Sequence, residues 1–371
     1  MPESIAYLDY NATAPVHDAA KAAMRGALDL VGNPSSVHGP GRAARKALED
    51  ARETLAQAVG VTPAQVIFTS GGSEANVLAL MQVSTEHRLA SAIEHASVLA
   101  QVPAAQHVPV SGAGQLDLAA LEARLAGNGG GALVAVMAAN NETGVIQPVA
   151  AAAHIAKAHG ARLHVDAVQM LGKAPLDFTL LGADSMAVSA HKIGGPKGVG
   201  ALIVRDGLAL APMLGGGGQE MRRRGGTENL PGILGFAAAV KAIAALGDWT
   251  APVRRLRDAL EAEIAAIAPD AIIIGAAAER LATTSAIAMP GVEAQTQLMA
   301  LDLAGVAVSA GSACSSGKTA PSHVLRAMGV AEAVAGATVR VSLGWGTRES
   351  DIARFVDAWR ALYRRARRRS A

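Results

Sequence analysis

Short apolar runs that break at their C-terminal ends on glycine or a polar side chain, with helical stretches between them, constrain this chain most. Val66-Ile67-Phe68-Thr69 breaks at Ser70-Gly71-Gly72-Ser73 and turns helical from Ser73. A strand near Ser91 precedes a helix from Ala96. Leu133 to Met137 ends at Ala138-Ala139-Asn140-Asn141, and a helix over Val149 to His159 leads to Leu163-His164-Val165-Asp166. Ser185-Met186-Ala187-Val188 runs into Ser189-Ala190-His191-Lys192 and then Gly194-Gly195-Pro196-Lys197-Gly198. Apolar strands alternating with helices predict an α/β fold, a mainly parallel sheet with helices on both faces. Further helices are predicted at Lys21 to Leu30 and at Ala43 to Val59, the second after a Gly-Pro-Gly break at Gly39 to Gly41. Ligands of such sheets gather outside the carboxyl ends of the strands, so those ends are where chemistry is sought.

Three strand ends carry suitable residues. Lys192 is flanked by hydroxyl and imidazole groups and by residues that cannot continue a helix. Its amine suits an imine with an aldehyde, the usual way a protein holds pyridoxal phosphate. Taken alone, the segment is equally a surface lysine in a loop. Asp166 is placed to keep a pyridine nitrogen protonated, which makes the ring a better electron sink, and Gln169 to hydrogen-bond its phenolate oxygen. The turn Ser70-Gly71-Gly72-Ser73 feeds a helix N-terminus, whose free N–H groups and positive dipole end form a phosphate seat with Ser73 adding its hydroxyl. Most such turns are only turns; the value of this one lies in its company.

The chain has 371 residues, 51% of them hydrophobic, enough for a large core divided into two domains. With 3% aromatic residues that core is expected to be aliphatic. A boundary is expected near Leu246-Gly247-Asp248-Trp249. Beyond it, a helix over Val253 to Ile267, a strand at Ile272 to Ile274 and the segment Ser285 to Met289 indicate a smaller α+β domain. Net charge is +2, from 33 basic and 31 acidic residues, which gives no reason to expect nucleic-acid binding. The run Arg364-Arg365-Ala366-Arg367-Arg368-Arg369 is expected to be a solvated, frayed tail. The N-terminal Met1-Pro2-Glu3-Ser4 has neither a basic start nor an apolar signal core, and Ala237 to Leu246 is too short to span a bilayer. A cytoplasmic protein with no membrane contact is the expectation. One cysteine rules out an internal disulfide, and no Cys/His cluster has metal-site spacing. Gly215 to Gly218 is expected to be a flexible active-site loop.

Several ordered motifs then carry a resemblance over nearly the whole chain, from Tyr7 to the helix after Arg348. They are Tyr7-Leu8-Asp9-Tyr10-Asn11-Ala12-Thr13-Ala14-Pro15, Gly32-Asn33-Pro34-Ser35-Ser36-Val37-His38-Gly39 and Asn140-Asn141-Glu142-Thr143-Gly144-Val145. With them come Gly216-Gly217-Gly218-Gln219-Glu220, Gly311-Ser312-Ala313-Cys314-Ser315 and Arg340-Val341-Ser342-Leu343-Gly344. The chain resembles the cysteine desulfurases, pyridoxal-phosphate enzymes of the class V aminotransferase group with the type I fold. The resemblance implies a large cofactor-binding domain over 13–247 and a small domain from 1–12 and 248–371 that carries the Cys314 loop. It implies that Lys192 forms the imine and then serves as the acid–base group. His95 matches a histidine that stacks on the cofactor ring and assists proton transfer; without the family, a histidine between strand and helix is often just a cap. Gly72, Ser73, Ser189 and His191 are assigned to the phosphate. Thr227 matches a residue that reaches the phosphate from a neighbouring subunit, which implies a homodimer.

For the substrate, L-cysteine, the resemblance implies Arg340 as the carboxylate clamp, since a guanidinium fork matches a carboxylate with two parallel hydrogen bonds. The alternative for Arg340 is an edge-strand arginine facing water. Asn141 is expected to support the same carboxylate or the cofactor oxygen, and Asn33 to line the same pocket.

Cys314 decides the reaction. An unpaired cysteine is more often a buried small hydrophobe. Here the surroundings are small and polar, and Lys318 is close by to favour the thiolate. In the family this cysteine attacks the sulfur of the bound substrate, giving alanine and a persulfide. Because Cys314 is the sole cysteine, no second thiol in the chain can resolve that persulfide. The sulfur is therefore expected to pass to an external thiol or an acceptor protein, an iron–sulfur cluster scaffold being the first candidate. Trp345 departs from the family, which often has an arginine after Leu-Gly at that place. A selenocysteine lyase or a class V aminotransferase on the same scaffold remains the alternative, and an aminotransferase would not need Cys314.

Overall fold

Register across one sheet brings the ends of distant strands into line. The computed structural model describes residues 5–127, 129–311 and 322–370, with backbone alone at 369 and 370. Among the described residues, seven strands form the main sheet in the order Val66–Thr69, Gly200–Val204, Ser185–Ser189, Arg162–Asp166, Leu133–Met137, Arg88–Ser91, His107–Val108. All run one way except Gly200–Val204, which is antiparallel to both neighbours. The expected α/β class with a mainly parallel sheet is therefore what the chain forms. Thr69 and Ser189 both pair with Gly200, Asp166 pairs with Ala187, and Met137 with Asp166. The polar residues that end the apolar runs thus share one edge.

Helices cover the sheet, and their boundaries follow local chemistry. Gly72–Leu80 starts at the glycine turn, and Val149–Ala158 leads into the Asp166 strand. Asp18–Leu28 packs on Leu230–Ala245, where a Cβ on Gly235 would lie 2.7 Å from Met24 Cγ, so glycine permits the close approach. Fully buried Phe236 on that helix contributes about 2–3 kcal/mol of apolar burial. The Gly-Pro-Gly sequence, expected as a break, is instead the first turn of Gly39–Ala58. Proline loses no hydrogen bond at this position, and His38 Nδ1 caps the turn by accepting from the Gly41 N–H at 3.3 Å. The helix expected from Ala96 is a single turn, Ala96–Leu99.

The C-terminal part builds a second, antiparallel sheet in the order Ser309–Ala310, Thr338–Ser342, Thr284–Ala288, Ile272–Ile274. The N-terminal strand Ala6–Tyr7 pairs in parallel with Val306–Ala307, and Asp9 bridges to Ser342. The chain closes with the helix Glu349–Ser370, which buries Ile352, Phe355, Val356, Trp359 and Leu362 at helical spacing. The arginine-rich tail is helical rather than frayed. Arg367 pairs with Asp270 and lies over the Tyr363 ring at 4.9 Å, which ties down the last turns. No single helix among the described residues is long and apolar enough to cross a membrane.

Aromatic residues are few, yet several meet at one place. Trp345 stacks on His17 at 4.3 Å and meets Tyr10 and Trp249 edge-on at 5.4 and 5.9 Å. Trp345 therefore has a packing role: it fastens the segment after Arg340 to the N-terminal segment and to the Gly247 turn. A Cβ on Gly344 would fall 2.0 Å from the Tyr10 ring, so only glycine fits beside it.

The glycine run Gly215–Gly218 is exposed, and the segment 225–226 packs against it. Gly225 N–H donates to Leu214 O at 2.9 Å, and a Cβ on Gly225 would meet Gly215 O at 2.7 Å. Directly after it, Glu220, Met221 and Arg222 all take positive φ, at 46°, 55° and 63°. For residues with side chains this costs roughly 1–2 kcal/mol each. The offset comes from the Glu220 carboxylate. It accepts from Arg52 at 2.7 and 2.9 Å and from the Phe68 N–H at 2.8 Å, all buried.

Candidate active site

The site lies where the main-sheet strands end and the N-terminal segment 9–14 crosses them. Gly72 is the contact point of three motifs. A Cβ there would stand 2.5 Å from Val168 Cγ2 and 3.7 Å from Ser189 Cβ, so the glycine turn, the residues after Asp166 and the approach to Lys192 touch. Ser73, next to it, is exposed in the first turn of its helix, with the helix N–H groups around it. Glu74 accepts from the Ser70 N–H at 2.8 Å and pairs with Arg224 at 2.9 Å, which fixes the turn to the segment leading to Thr227.

Asp166 is 6% exposed at the end of its strand. Its Oδ1 accepts from the Val168 N–H at 3.0 Å and its Oδ2 from Asn76 Nδ2 at 2.7 Å. Asn76 is oriented from behind, because His164 Nε2 donates to its Oδ1 at 2.9 Å while His164 Nδ1 bonds Ser185 Oγ at 2.9 Å. Burial lowers the His164 pKa to about 4, so the ring is neutral at pH 7 and carries its proton on Nε2. The same Asn76 Nδ2 reaches Ser97 Oγ at 3.0 Å, and Ser97 Oγ meets His95 Nδ1 at 2.8 Å. His95 Nδ1 also accepts from the Ser97 N–H, so this histidine is indeed a helix cap and at the same time hydrogen-bonded through Ser97 and Asn76 to Asp166. Beside them Glu94 is fully buried, with Oε1 accepting from the Met137 N–H at 2.6 Å. Its pKa is raised well above the usual carboxyl value, first by burial and then by Asp166.

Lys192 sits in the short turn Ala190–Ile193 and donates from Nζ to the main-chain oxygens of Asn11 at 2.6 Å and Ala12 at 2.9 Å. His191 Nδ1 meets Thr13 Oγ1 at 3.3 Å, and burial, then Lys192, lowers its pKa to about 4. Asn11 is the hub that sequence reasoning missed. Its main-chain oxygen also accepts from Gln169 Nε2 at 3.0 Å, and its Nδ2 donates to Thr284 Oγ1 at 2.9 Å and to Asn141 O at 3.2 Å.

Arg340 is 3% exposed on the strand between Ser309–Ala310 and Thr284–Ala288, so it is not an edge arginine facing water. Nη2 donates to Asp9 Oδ1 at 2.8 Å and Nη1 to Asn141 O at 3.0 Å, while Nε is buried with no hydrogen-bond partner among the described residues. A buried guanidinium with an unpaired N–H is a ready donor for a carboxylate.

Named hydrogen bonds therefore join Asp166 to His95 in one network and Gln169, Lys192, Asn141 and Arg340 in another around Asn11, and Gly72 and Ser189 meet by direct approach. Among the described residues, no hydrogen bond joins Asn33 or Thr227 to them. Asn33 is exposed, its Oδ1 accepting from the Ser35 N–H at 2.8 Å, and Thr227 is exposed. Cys314 lies outside the described residues. The residues on either side converge on Glu142, whose Oε2 accepts from Ser322 Oγ at 2.5 Å and would lie 2.4 Å from a Cβ on Gly311.

The missed residues are Asn11, Asn76, His164 and Asp9. Asp9 and Asn11 lie in the motif Tyr7 to Pro15, which marks the segment but assigns neither a role, and His164 stands out as a polar side chain inside an apolar strand, Leu163-His164-Val165.

A family model described as aminotransferase class-V matches residues 6–355. A cysteine desulfurase of Cereibacter sphaeroides is 41% identical over 366 residues, covering 95% of this chain and 94% of its own. An IscS-like cysteine desulfurase of Mycobacterium tuberculosis is 39% identical and covers 98% of both chains. The solved structure of a NifS-like protein from Rickettsia africae is 35% identical, superposes with a TM-score of 0.90, and covers 97% of this chain and 99% of its own.

Proposed function

The chain belongs to the class-V aminotransferase family, among the cysteine desulfurases, and from that membership we propose the reaction L-cysteine plus the Cys314 thiol to L-alanine plus a Cys314 persulfide. The bond from the substrate's β-carbon to its sulfur breaks, a sulfur–sulfur bond to Cys314 forms, and the β-carbon gains a proton. The observation that carries this reading is the convergence of Lys192, Gln169 and, through Asn141, Arg340 on the single residue Asn11. An amine, a ring-facing amide and a carboxylate clamp held by one hub fit an amino-acid substrate on a pyridoxal 5'-phosphate enzyme.

The donor set fits that cofactor. Asp166 offers a carboxyl group for the ring nitrogen, steadied by Asn76 and neutral His164. The Gly72–Ser73 helix start, Ser189 and His191 offer neutral donors for a phosphate, and His95 a ring for the cofactor face. When bound, pyridoxal phosphate supplies an electron sink that weakens bonds at the substrate's α- and β-carbons. Lys192 anchors it and afterwards moves protons at the substrate carbon. Arg340 exchanges the Asp9 carboxylate for the substrate carboxylate, with Asn141 beside it, and Asn33 is assigned to the same pocket by the family resemblance alone.

Further parts of the reading are an organisation and a set of partners. A large unit over 13–247 holds the cofactor, and a small unit from 1–12 and 248–371 carries Cys314. The pairing of Ala6–Tyr7 with Val306–Ala307 supports assigning the N-terminus to the small unit. Exposed Thr227, with no hydrogen bond to the site among the described residues, supports a homodimer in which it completes the neighbour's phosphate seat. With no second thiol, the persulfide passes to an acceptor protein, an iron–sulfur scaffold in the cytoplasm. The test is alanine and sulfide release from L-cysteine with a reducing thiol, comparing wild type with Cys314→Ala. Loss of activity with the cofactor retained supports a desulfurase. Continued turnover in the variant overturns it in favour of a lyase or aminotransferase.

A further inference from the structure

A second lysine lies under the site. Lys173 is 5% exposed, and its Nζ donates to Asn11 Oδ1 at 2.9 Å and to Gln169 Oε1 at 2.7 Å. We propose that Lys173 is a positioning residue that fixes the orientation of the Gln169 amide and, through Asn11, the seat of the Lys192 amine. The proposal rests on the reading above in taking Gln169 as the group that faces the cofactor's anionic ring oxygen.

A buried amine is costly unless its hydrogen bonds are made, and among the described residues this one has no carboxylate partner. Both its acceptors are side-chain amide oxygens. Burial, then Lys192 and Arg340, lowers its pKa well below the usual lysine value, so the position is unfavourable for a charge and a methionine-like filler would pack more cheaply. What the amine adds is direction. A donor on Gln169 Oε1 forbids the flipped amide and turns Nε2 outward, where it donates to Asn11 O at 3.0 Å. The same donor on Asn11 Oδ1 turns Asn11 Nδ2 toward Thr284 Oγ1 and Asn141 O. The Asn11 main-chain oxygen is in turn an acceptor for Lys192 Nζ at 2.6 Å. One amine thereby sets an amide that must present N–H, not oxygen, to an anionic ring oxygen.

The test reads the cofactor's visible absorption in the loaded protein as pH is varied, a property that a merely structural role would leave in place. Without Lys173 the Gln169 amide is free to flip, its N–H is lost to the ring oxygen, and the neighbouring nitrogen bonded to Lys192 holds its proton more tightly. Lys173→Met is expected to raise the midpoint by about one pH unit, the size of a single lost hydrogen bond to a charged group. Lys173→Gln, which keeps a donor but no charge, is expected to return the midpoint close to wild type. Equal shifts in the two variants would overturn the proposal in favour of a charge effect, and an unshifted Lys173→Met would overturn it outright. Should Lys173→Met not fold, Lys173→Gln must stay near wild type while Gln169→Leu shifts upward; any other pattern overturns it. Absence of a visible band in wild type would overturn the cofactor reading and this one with it, whereas a wild-type band with unshifted variants removes this one alone.

Discussion

His164 should make the protein lose stability on mild acidification, by an amount the structure sets. The ring is fully buried between Ser185 Oγ and Asn76 Oδ1, and burial lowers its pKa from 6.5 to about 4. Between those values the unfolded chain binds a proton that the folded chain refuses, so stability rises with pH through this window and falls as pH drops through it. For one such group the contribution lost is RT ln[(1 + 10^(6.5−pH))/(1 + 10^(4−pH))]. It is negligible at pH 7.5 and reaches about 2 kcal/mol at pH 5. His191 acts in the same sense, its pKa also being lowered to about 4. Glu94 and Glu142 act oppositely, because burial raises their pKa and the folded state then holds protons that the unfolded chain releases. A comparison with His164→Gln cancels these shared contributions. The assay is urea unfolding of both proteins at pH 7.5 and pH 5, at matched protein and cofactor concentrations. Wild type should exceed the variant by about 2 kcal/mol less at pH 5 than at pH 7.5. A gap that stays the same at the two pH values would refute the neutral, proton-refusing state of His164.

Other substitutions test other parts of the account. Arg340→Lys keeps a charge but cannot hold both Asp9 and Asn141 O, so kcat/KM for L-cysteine should fall about 10- to 100-fold, measured as alanine formation. Gly72→Ala forces a methyl against Val168 Cγ2, and cofactor retention on dialysis should weaken while the fold, followed by circular dichroism, persists. Trp345→Ala removes the ring stacked on His17 and edge-on to Tyr10 and Trp249. Unfolding free energy should fall by about 2–3 kcal/mol with the cofactor band unchanged.

Strand ends were readable because an apolar run that stops on a polar residue is a local pattern. Asp166, Ser189 and Lys192 were found that way, and the register through Gly200 brings the strand ends at Thr69 and Ser189 together. Gln169 and Gly72 followed from their distance to those ends. Asn11, Asn76, His164 and Lys173 did not, because the bonds that place them, His164 to Asn76, Gln169 to Asn11 and Lys173 to Asn11, span 88, 158 and 162 residues and only the sheet and the crossing N-terminal segment bring them close. The Gly-Pro-Gly segment misled for a different reason. The same residues that break a helix interior are acceptable in its first turn, and the capping contact from His38 is not visible as a pattern. The arginine-rich end looked like a tail because its charge hides one apolar stripe, ending at Leu362, that docks the whole helix.

The most direct test of the central claim is intact-protein mass spectrometry of the cofactor-loaded protein after one turnover of L-cysteine with no reducing thiol present. The account predicts a mass increase of one sulfur per chain, located on Cys314 by peptide mapping, with one alanine released for each. Alanine formed with no sulfur added to Cys314 would contradict it.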